Sequence, residues 1–589
     1  MYFQMASSLP EWTLSFRNEL EIYTAVSQYQ KQVNALNMRI SMLQARHNSL
    51  LPVGRLPPEI LGEIFVALVK DYVQCHYLDF DKYDHYDRAF NKKIYHWLAI
   101  IRVCRYWTDV AMHTPRVWSY IHLGHISVQT FLSFLQRSGQ SPLTVMQPPW
   151  RSVMSRPEPW IEGIVQNMHR MRNLISEVTP EFFECGITHG LNAPKLELLS
   201  VYAAQPNDGS AIEAISSAHW PSLKTLESVM LSQSFLAAAV RSSLTSLTVK
   251  RILDAHPAET WADLLKGLPN LENLHVEDAI RELDLDEHSP LSVAETVTLR
   301  KLKSASFRDS GSGCASAHLL NHLIFVEDTS LELDGSRAFR MPVTYADVVF
   351  IFSALAAKAR ADINTTSGKT RVVRALEVTF KGWANSDTYH INIFTHGELP
   401  PPTNIFGEQQ STVDPPAVSV ALRCSETLRA FCTVYPLSKV HSLRIISETI
   451  DNDIEALRLL AVHPNIREVS FGNQDLAGAF FQRLQDSAFF PNLESLTLYQ
   501  LRWNKLHTYG QKIVERRGSL IPPLMAALEA RNRDGRGIKK LYIPEPVNLR
   551  EYDGYKEDLL RLGELVEYCD VDIDGAPYTD SSCLSCDED

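Results

Sequence analysis

The feature that most restricts the fold is a phrase of the form Leu-x-x-Leu-x-apolar that returns along the chain. It stands at Leu196–Val201, Leu223–Leu226, Leu244–Val249 and Leu271–Val276, and in near variants from Leu299, Leu443 and Ile466. It returns again at Leu493–Leu498 and Ile538–Ile543. From Leu223 to Leu244, Leu271 and Leu299 the steps are 21, 27 and 28 residues, and from Ile466 to Leu493 the step is again 27. Pro-Asn or Pro-Ser, a turn signal, introduces several of the phrases. Helical stretches lie between them, at 235–242, 261–268, 454–462 and 476–484. A strand points alternate side chains to opposite faces, so each phrase predicts a short strand with its leucines inward. A single strand and helix cannot bury that face alone, and neighbouring units must stack to cover it.

The period is that of a leucine-rich repeat, so residues 120–567 are expected to form an irregular solenoid with a parallel sheet. Strand alternation would leave Asn273, His275, Ser495, Thr497 and Tyr499 on its exposed concave face, the candidate surface for a protein target. Regularity fails between about 303 and 440. There Ala375–Phe380 and Tyr389–Ile393 alternate as longer, hairpin-like strands, followed by proline-rich 399–403 and 413–417. Residues 568–589 are acidic, carry Gly, Pro and Ser, and are expected to be a disordered tail.

The first 51 residues follow a different period. Ile22, Val26, Tyr29, Val33, Leu36, Ile40 and Leu43 alternate spacings of four and three, with Leu50 one heptad later, and neither Gly nor Pro interrupts before Pro52. That is the seam of a coiled coil on a helix of about 30 residues. Such a seam can pair with another chain or fold back on the repeat body, and the sequence leaves both open.

A helical module is expected at 52–119. Leu56-Pro57-Pro58-Glu59-Ile60 opens a helix, with proline where its missing N–H costs nothing and a glutamate favoured by the helix dipole. Ile60, Leu61, Ile64, Phe65 and Leu68 form its apolar stripe. A stretch at 71–93 rich in Tyr, Asp and His follows, then helical periodicity resumes at Trp97, Leu98, Ile101, Val103, Cys104 and Trp107. Thr114-Pro115 punctuates the chain before Val117 and Trp118, and Tyr120–Leu123 reads as a first strand. Three segments, LeuProProGluIleLeuGlyGluIlePhe from Leu56, ValCysArgTyrTrpThrAspValAla from Val103 and ThrProArgValTrp from Thr114, resemble the F-box family in its own order. The departure is the 71–93 insertion, which is longer than the family's usual gap.

The fold class expected is therefore α/β: an N-terminal heptad helix and a small all-α F-box-like module, followed by the irregular leucine-rich-repeat solenoid. The resemblance implies docking on the Skp adaptor of an SCF-type complex with its cullin scaffold, through Leu56, Pro57, Ile60, Ile64, Val103, Cys104, Trp107 and Trp118. It implies a non-catalytic substrate-receptor subunit of a ubiquitin ligase, with the solenoid holding a protein target. The rival expectation is a ligase-independent interaction scaffold, and residues 22–50 offer a surface for self-association.

Charge and motif content narrow the alternatives. With 57 basic and 69 acidic side chains the net charge is −12, so broad attraction to nucleic-acid phosphates is not expected. No Walker loop, complete GxGxxG, GxSxG elbow or HExxH is present, so no enzymatic activity and no cofactor are expected. Gly311-Ser312-Gly313 and Gly535-Arg536-Gly537 read as loop turns. Cys583 and Cys586 have half the spacing of a zinc site without its second half, and His76, Asp79, Asp81, His85 and Asp87 equally suit a solvated loop; no metal is expected at either. Nine scattered cysteines, an opening without a basic flank and apolar stretch, and no apolar run of membrane-spanning length lead to an expected cytoplasmic or nuclear location.

Overall fold

The computed structural model describes residues 19–78, 95–123, 126–147, 158–203, 209–281, 296–311, 313–325, 329–335, 343–361, 375–383, 386–394, 418–422, 427–435, 437–447, 453–472, 477–499, 501, 508–509, 512–513, 520–544 and 555–571. Its contacts divide the chain into two compact units, Met1–Ser176 and Glu177–Asp589.

The first unit holds helices α1 (Glu19–Leu50), α2 (Pro58–Leu78), α3 (Arg105–Met112), α4 (Val128–Arg137) and α5 (Glu158–Gln166), with 3-10 turns at Pro52–Arg55, His96–Arg102 and Pro115–Ser119. Strands β1 (Tyr120–His122), β2 (Leu143–Met146) and β3 (Met171–Val178) run parallel, β2 in the middle. The expected all-α module thus shares its compact unit with strands. Aromatic rings form the core: Trp97 and Trp118 meet edge to face at 5.6 Å, and Phe134 of α4 lies 5.3 Å from Trp118. Such pairs stabilise by about 0.5–1.5 kcal/mol beyond their burial. Two polar clips complete the unit. The Tyr95 hydroxyl donates to the His122 carbonyl at 2.6 Å and accepts from the His122 N–H at 3.0 Å, and burial pushes its pKa up. Buried Arg170 donates to Asn167 Oδ1, Ser138 Oγ and the carbonyls of Ser141 and Leu135.

The second unit contains helices α6 (Pro180–His189), α7 (Gly209–Ser216), α8 (Gln233–Ala239), α9 (Ala258–Lys266), α10 (Cys314–His322), α11 (Tyr345–Ala361), α12 (Thr427–Val434), α13 (Asp453–Ala461), α14 (Ala477–Leu484), α15 (Ile521–Arg533) and α16 (Tyr555–Leu565). Its strands are β4 (Leu198–Ala203), β5 (Thr225–Val229), β6 (Ser246–Lys250), β7 (Asn273–Glu277), β8 (Val297–Leu299), β9 (Ser304–Arg308), β10 (Leu323–Phe325), β11 (Ser330–Gly335), β12 (Ala375–Trp383), β13 (Ser386–Phe394) and β14 (Val418–Leu422). They continue with β15 (Ser442–Ser447), β16 (Glu468–Gly472), β17 (Ser495–Leu498), β18 (Thr508–Tyr509), β19 (Lys512–Ile513), β20 (Lys540–Ile543) and β21 (Tyr568–Val571). The recurring phrases run into strands, and alternation sorts their residues: Leu226, Leu247 and Leu274 are buried while Glu227, Thr248 and His275 between them reach the other face. The residue after each of β5, β6 and β7 turns through positive φ (Met230 57°, Arg251 54°, Asp278 49°). Each donates its N–H to the carbonyl ending the next strand, at 3.0, 2.7 and 2.9 Å.

The solenoid expectation is corrected. From β4 through β7, β9 and β11 the strands pair in parallel, with β8 and β10 forming a small ribbon of their own. Beyond β11 the order departs from the chain: β11 pairs with β14, β14 antiparallel with β13, β13 antiparallel with β12, and β12 parallel with β15. The sheet then runs parallel through β16, β17, β20 and β21. A solenoid requires each unit to contact only its sequence neighbours. Here the nine-residue strands β12 and β13 pair in antiparallel register from Ala375 with Phe394 to Trp383 with Ser386, and this meander splits the repeat. Leu376 of β12 and the alternating Ile391 and Ile393 of β13 are buried and anchor the meander in the core. The broad α/β class holds, as a large, mainly parallel sheet with packed helices.

Several sequence expectations fall at the edge of the description. Residues 71–78 continue α2 and 79–93 lie outside the described residues, as do 399–403, 413–417, Ser312, Cys583 and Cys586. The expected tail begins with a strand, since Tyr568–Val571 pairs with Lys540–Ile543; 572–589 lie outside. Among the described residues no helix is long and apolar enough to cross a membrane.

Arg531 of α15 is fully buried, and its guanidinium donates to the carbonyls of Phe489 (2.9 Å), Phe490 (2.8 Å) and Arg536 (3.2 Å). Desolvation first, and the charge of Arg536 second, lower its pKa to about 10. Arg531→Met is expected to remove a donor from all three carbonyls, of which Phe490 keeps the Leu493 N–H, and to cost roughly 3 kcal/mol, at about 1–3 kcal/mol for each buried group orphaned. Urea unfolding followed by tryptophan fluorescence checks this; an unchanged midpoint contradicts it.

Candidate functional site

The helical part of the first unit presents apolar side chains that the described residues leave exposed. Pro57 and Pro58 fix the entry to α2, and the Tyr106 hydroxyl donates to the Leu56 carbonyl at 2.5 Å, tying that entry to α3. The helix then divides its stripe. Leu61, Phe65 and Val69 are buried, whereas Ile60 and Ile64, one turn apart on another face, are 52% and 48% exposed. Gly62 permits the packing on the buried side, because a Cβ there would stand 2.9 Å from Thr114 Oγ1. An ion pair between Glu63 and Arg116 closes the outer edge.

Val103 and Cys104 sit where the 3-10 turn 96–102 hands over to α3. Cys104 holds extended φ and ψ at the start of α3, and the Thr108 hydroxyl donates to the carbonyls of Ile101 (2.7 Å) and Cys104 (3.0 Å). This staples the junction and leaves Val103 55% exposed. Val103, Cys104 and Trp107 line a cleft of about 260 Å³ together with Leu51, Val53 and Tyr106. Pockets for drug-sized ligands start at about 300 Å³, so the cleft suits one or two side chains of a protein partner better than a small molecule.

The eight residues expected at the adaptor face therefore separate. Val103, Cys104 and Trp107 share the cleft; Ile60 and Ile64 are exposed on α2, as is Pro57 just before it; Leu56 is half-buried at its entry. Trp107 is half-buried, its ring 5.2 Å from Phe65, and so joins core to cleft. Trp118 has no exposed surface, donates its indole N–H to the Ala111 carbonyl at 2.8 Å, and lies under the Arg137 guanidinium at 4.6 Å. It belongs to the core of the module and has no exposed surface to offer a partner. Leu51 and Val53, absent from the expectation, were signalled by the Pro52–Arg55 turn immediately before the motif.

The second candidate surface is the polar face of the large sheet. Asn273 and His275 lie on β7, Ser495 and Thr497 on β17, and Tyr499 one residue past it, all away from the buried leucines. They do not converge. Between β7 and β17 stand β9, β11, β14, β13, β12, β15 and β16, which at about 4.8 Å per strand separates the two groups by roughly 40 Å along the sheet. Asn273 Oδ1 accepts from Ser304 Oγ at 2.8 Å, and the Arg444 guanidinium stands 5.8 Å from the Tyr499 ring.

Near β7 the register sets Lys250, Glu277, Arg308 and Asp334 side by side on successive strands, a row of alternating charge. A second row joins Glu227, Thr248, His275, Ser306 and Glu332. Lys250 Nζ lies 3.4 Å from Glu227, His275 Nε2 3.6 Å from Glu277, and Arg308 3.5 Å from Glu332. Lys250 and Arg308 stand against Glu227, Glu277, Glu332 and Asp334, so the patch is acidic on balance and favours a ligand whose groups match the pattern and carry net positive charge. The signal was in the sequence, as the charged residue ending each phrase, but only register aligns the rows. No protein-family model and no curated protein matches this chain.

Exposure separates contact from core in a measurable way. Ile60→Asp and Ile64→Asp are expected to change stability by no more than about 0.5 kcal/mol each, as surface substitutions do. Trp118→Ala is expected to cost about 3–5 kcal/mol by emptying the aromatic core. Thermal melts of the three variants check the ranking, and a large loss at Ile60 or Ile64 would show that they are buried.

Proposed function

We propose that this chain is the substrate-receptor subunit of an SCF-type cullin-RING ubiquitin ligase, docking the Skp adaptor through residues 56–107 and presenting a protein target from the polar face of its sheet. The observation that carries the reading is the exposure of Ile60 and Ile64 on α2, at 52% and 48%, and of Val103, at 55%, on the lining of an apolar cleft. Large apolar side chains left exposed in a group are found where a partner covers them. The three segments that resemble the F-box family supply those residues, with Cys104 and Trp107. Such a chain catalyses nothing itself; it raises the effective concentration of a target near the ubiquitin-charged enzyme held by the cullin scaffold. This reading sets the protein in the cytoplasm or nucleus.

A specific feature favours the rival, a ligase-independent scaffold. On α1, Val26, Tyr29, Val33, Leu36, Ile40, Leu43 and Leu50 are all 48–62% exposed, so the heptad seam is not covered by the described residues of its own chain. A seam of that length pairs with a second helix, and the scaffold reading makes self-association its main role.

Calorimetry with the purified Skp adaptor separates the two. The intact chain is expected to bind, and an Ile60→Asp, Ile64→Asp double variant with an unchanged melt is expected to bind at least 30-fold more weakly, since a central anchor contributes about 2 kcal/mol or more. Absence of binding by the intact chain would sink the receptor reading and leave the scaffold. Light scattering of Leu36→Asp, Ile40→Asp against the parent chain tests the seam, with loss of the dimer expected.

A further inference from the structure

Away from both surfaces, α9 and α10 bring three metal-capable side chains to one point. Glu259 stands in the first turn of α9, where the helix dipole favours a carboxylate. His318 and His322 are four residues apart on α10, which sets both imidazoles on one helix face, their ring centroids 5.1 Å apart. Nε2 of His318 lies 3.6 Å from Glu259 Oε1 and Nε2 of His322 lies 4.0 Å from the same oxygen. The ligating atoms of the three residues all fall within 4.8 Å of one another.

The distances decide between two packed rings beside a glutamate and a shared ligand. Both exceed the 2.7–3.2 Å of a good hydrogen bond to nitrogen. They stand near the donor separations of about 3.3 Å that a tetrahedral ion imposes when its bonds are about 2.0–2.1 Å. Burial sorts the roles: both histidine side chains are 5% exposed and fixed in the helix packing, whereas Glu259 is 57% exposed and can adjust.

We propose that Glu259, His318 and His322 form a binding site for a divalent transition-metal ion of the zinc class, clipping α9 to α10. Two imidazoles and one carboxylate select zinc, cobalt or nickel over magnesium and calcium, which prefer all-oxygen sets. Three protein ligands leave a fourth position on the solvent side, beside the exposed carboxylate.

The test uses the full chain, stripped with a chelator and titrated with Co(II) as a coloured probe, followed by displacement with Zn(II) in a calorimeter. One equivalent is expected, with visible absorption of a nitrogen and oxygen site and no thiolate charge-transfer band, which sets it apart from cysteine sites such as Cys583 and Cys586. Glu259→Gln, on a surface-reaching side chain, is expected to fold as the parent and bind at least tenfold more weakly, since even supporting residues around a metal are worth about 10–100-fold. His322→Asn is expected to lose more. No uptake by the parent chain, a thiolate band, or parent-like affinity in the folded Glu259→Gln variant would each overturn the proposal. Should His322→Asn fail to fold, the Glu259→Gln titration still decides.

Discussion

The large unit depends on one constraint, that the strands of its repeated phrases bury one of their two faces and present the other. Leu226, Leu247, Leu274, Leu443 and Leu496 have almost no exposed surface, and register aligns each with the leucine or equivalent of the next strand. A one-residue slip would turn each of these inward rows outward, so the hydrophobic effect fixes register as well as fold. The same alternation delivers the polar residues to the other face, in rows such as Lys250, Glu277, Arg308 and Asp334. The polar face of the sheet is a by-product of the core.

The helical module of the first unit obeys the opposite logic. Its Trp97, Trp118 and Phe134 rings fill a core small enough that the short helices around it have apolar residues to spare. Ile60, Ile64 and Val103 are that remainder. On the proposed receptor reading, the unit is stable because its aromatic centre is complete and available because its rim is not. The patterned, on balance acidic patch around β7 would discriminate among targets by pattern.

Much of this was legible before the structure. The phrases predicted strands, and strands follow at Thr225, Ser246, Asn273, Glu468, Ser495 and Lys540. The heptads predicted a long helix, and α1 runs from Glu19 to Leu50. Local periodicity is legible because it reports burial residue by residue. The solenoid was misjudged because a period says that units stack without saying in which order. The alternation of 375–380 and 389–393 did signal the β12–β13 hairpin, but the pairings of β11 with β14 and of β12 with β15, which invert the order, are long-range and leave no local trace. Trp118 was grouped with contact residues because a motif records which side chains recur and is silent on whether each faces inward.

By itself, the sequence determined the α/β class, the positions of most strands and helices, and the apolar residues of the helical module, because alternation and heptad spacing are local consequences of backbone geometry. Only the tertiary structure decided that the candidate target face is split into two groups, that Ile60, Ile64 and Val103 are exposed while Trp118 is sealed, and that Glu259 meets His318 and His322 across two helices. These are distances between residues remote in the chain, set by how buried faces fit together, and no single segment contains them.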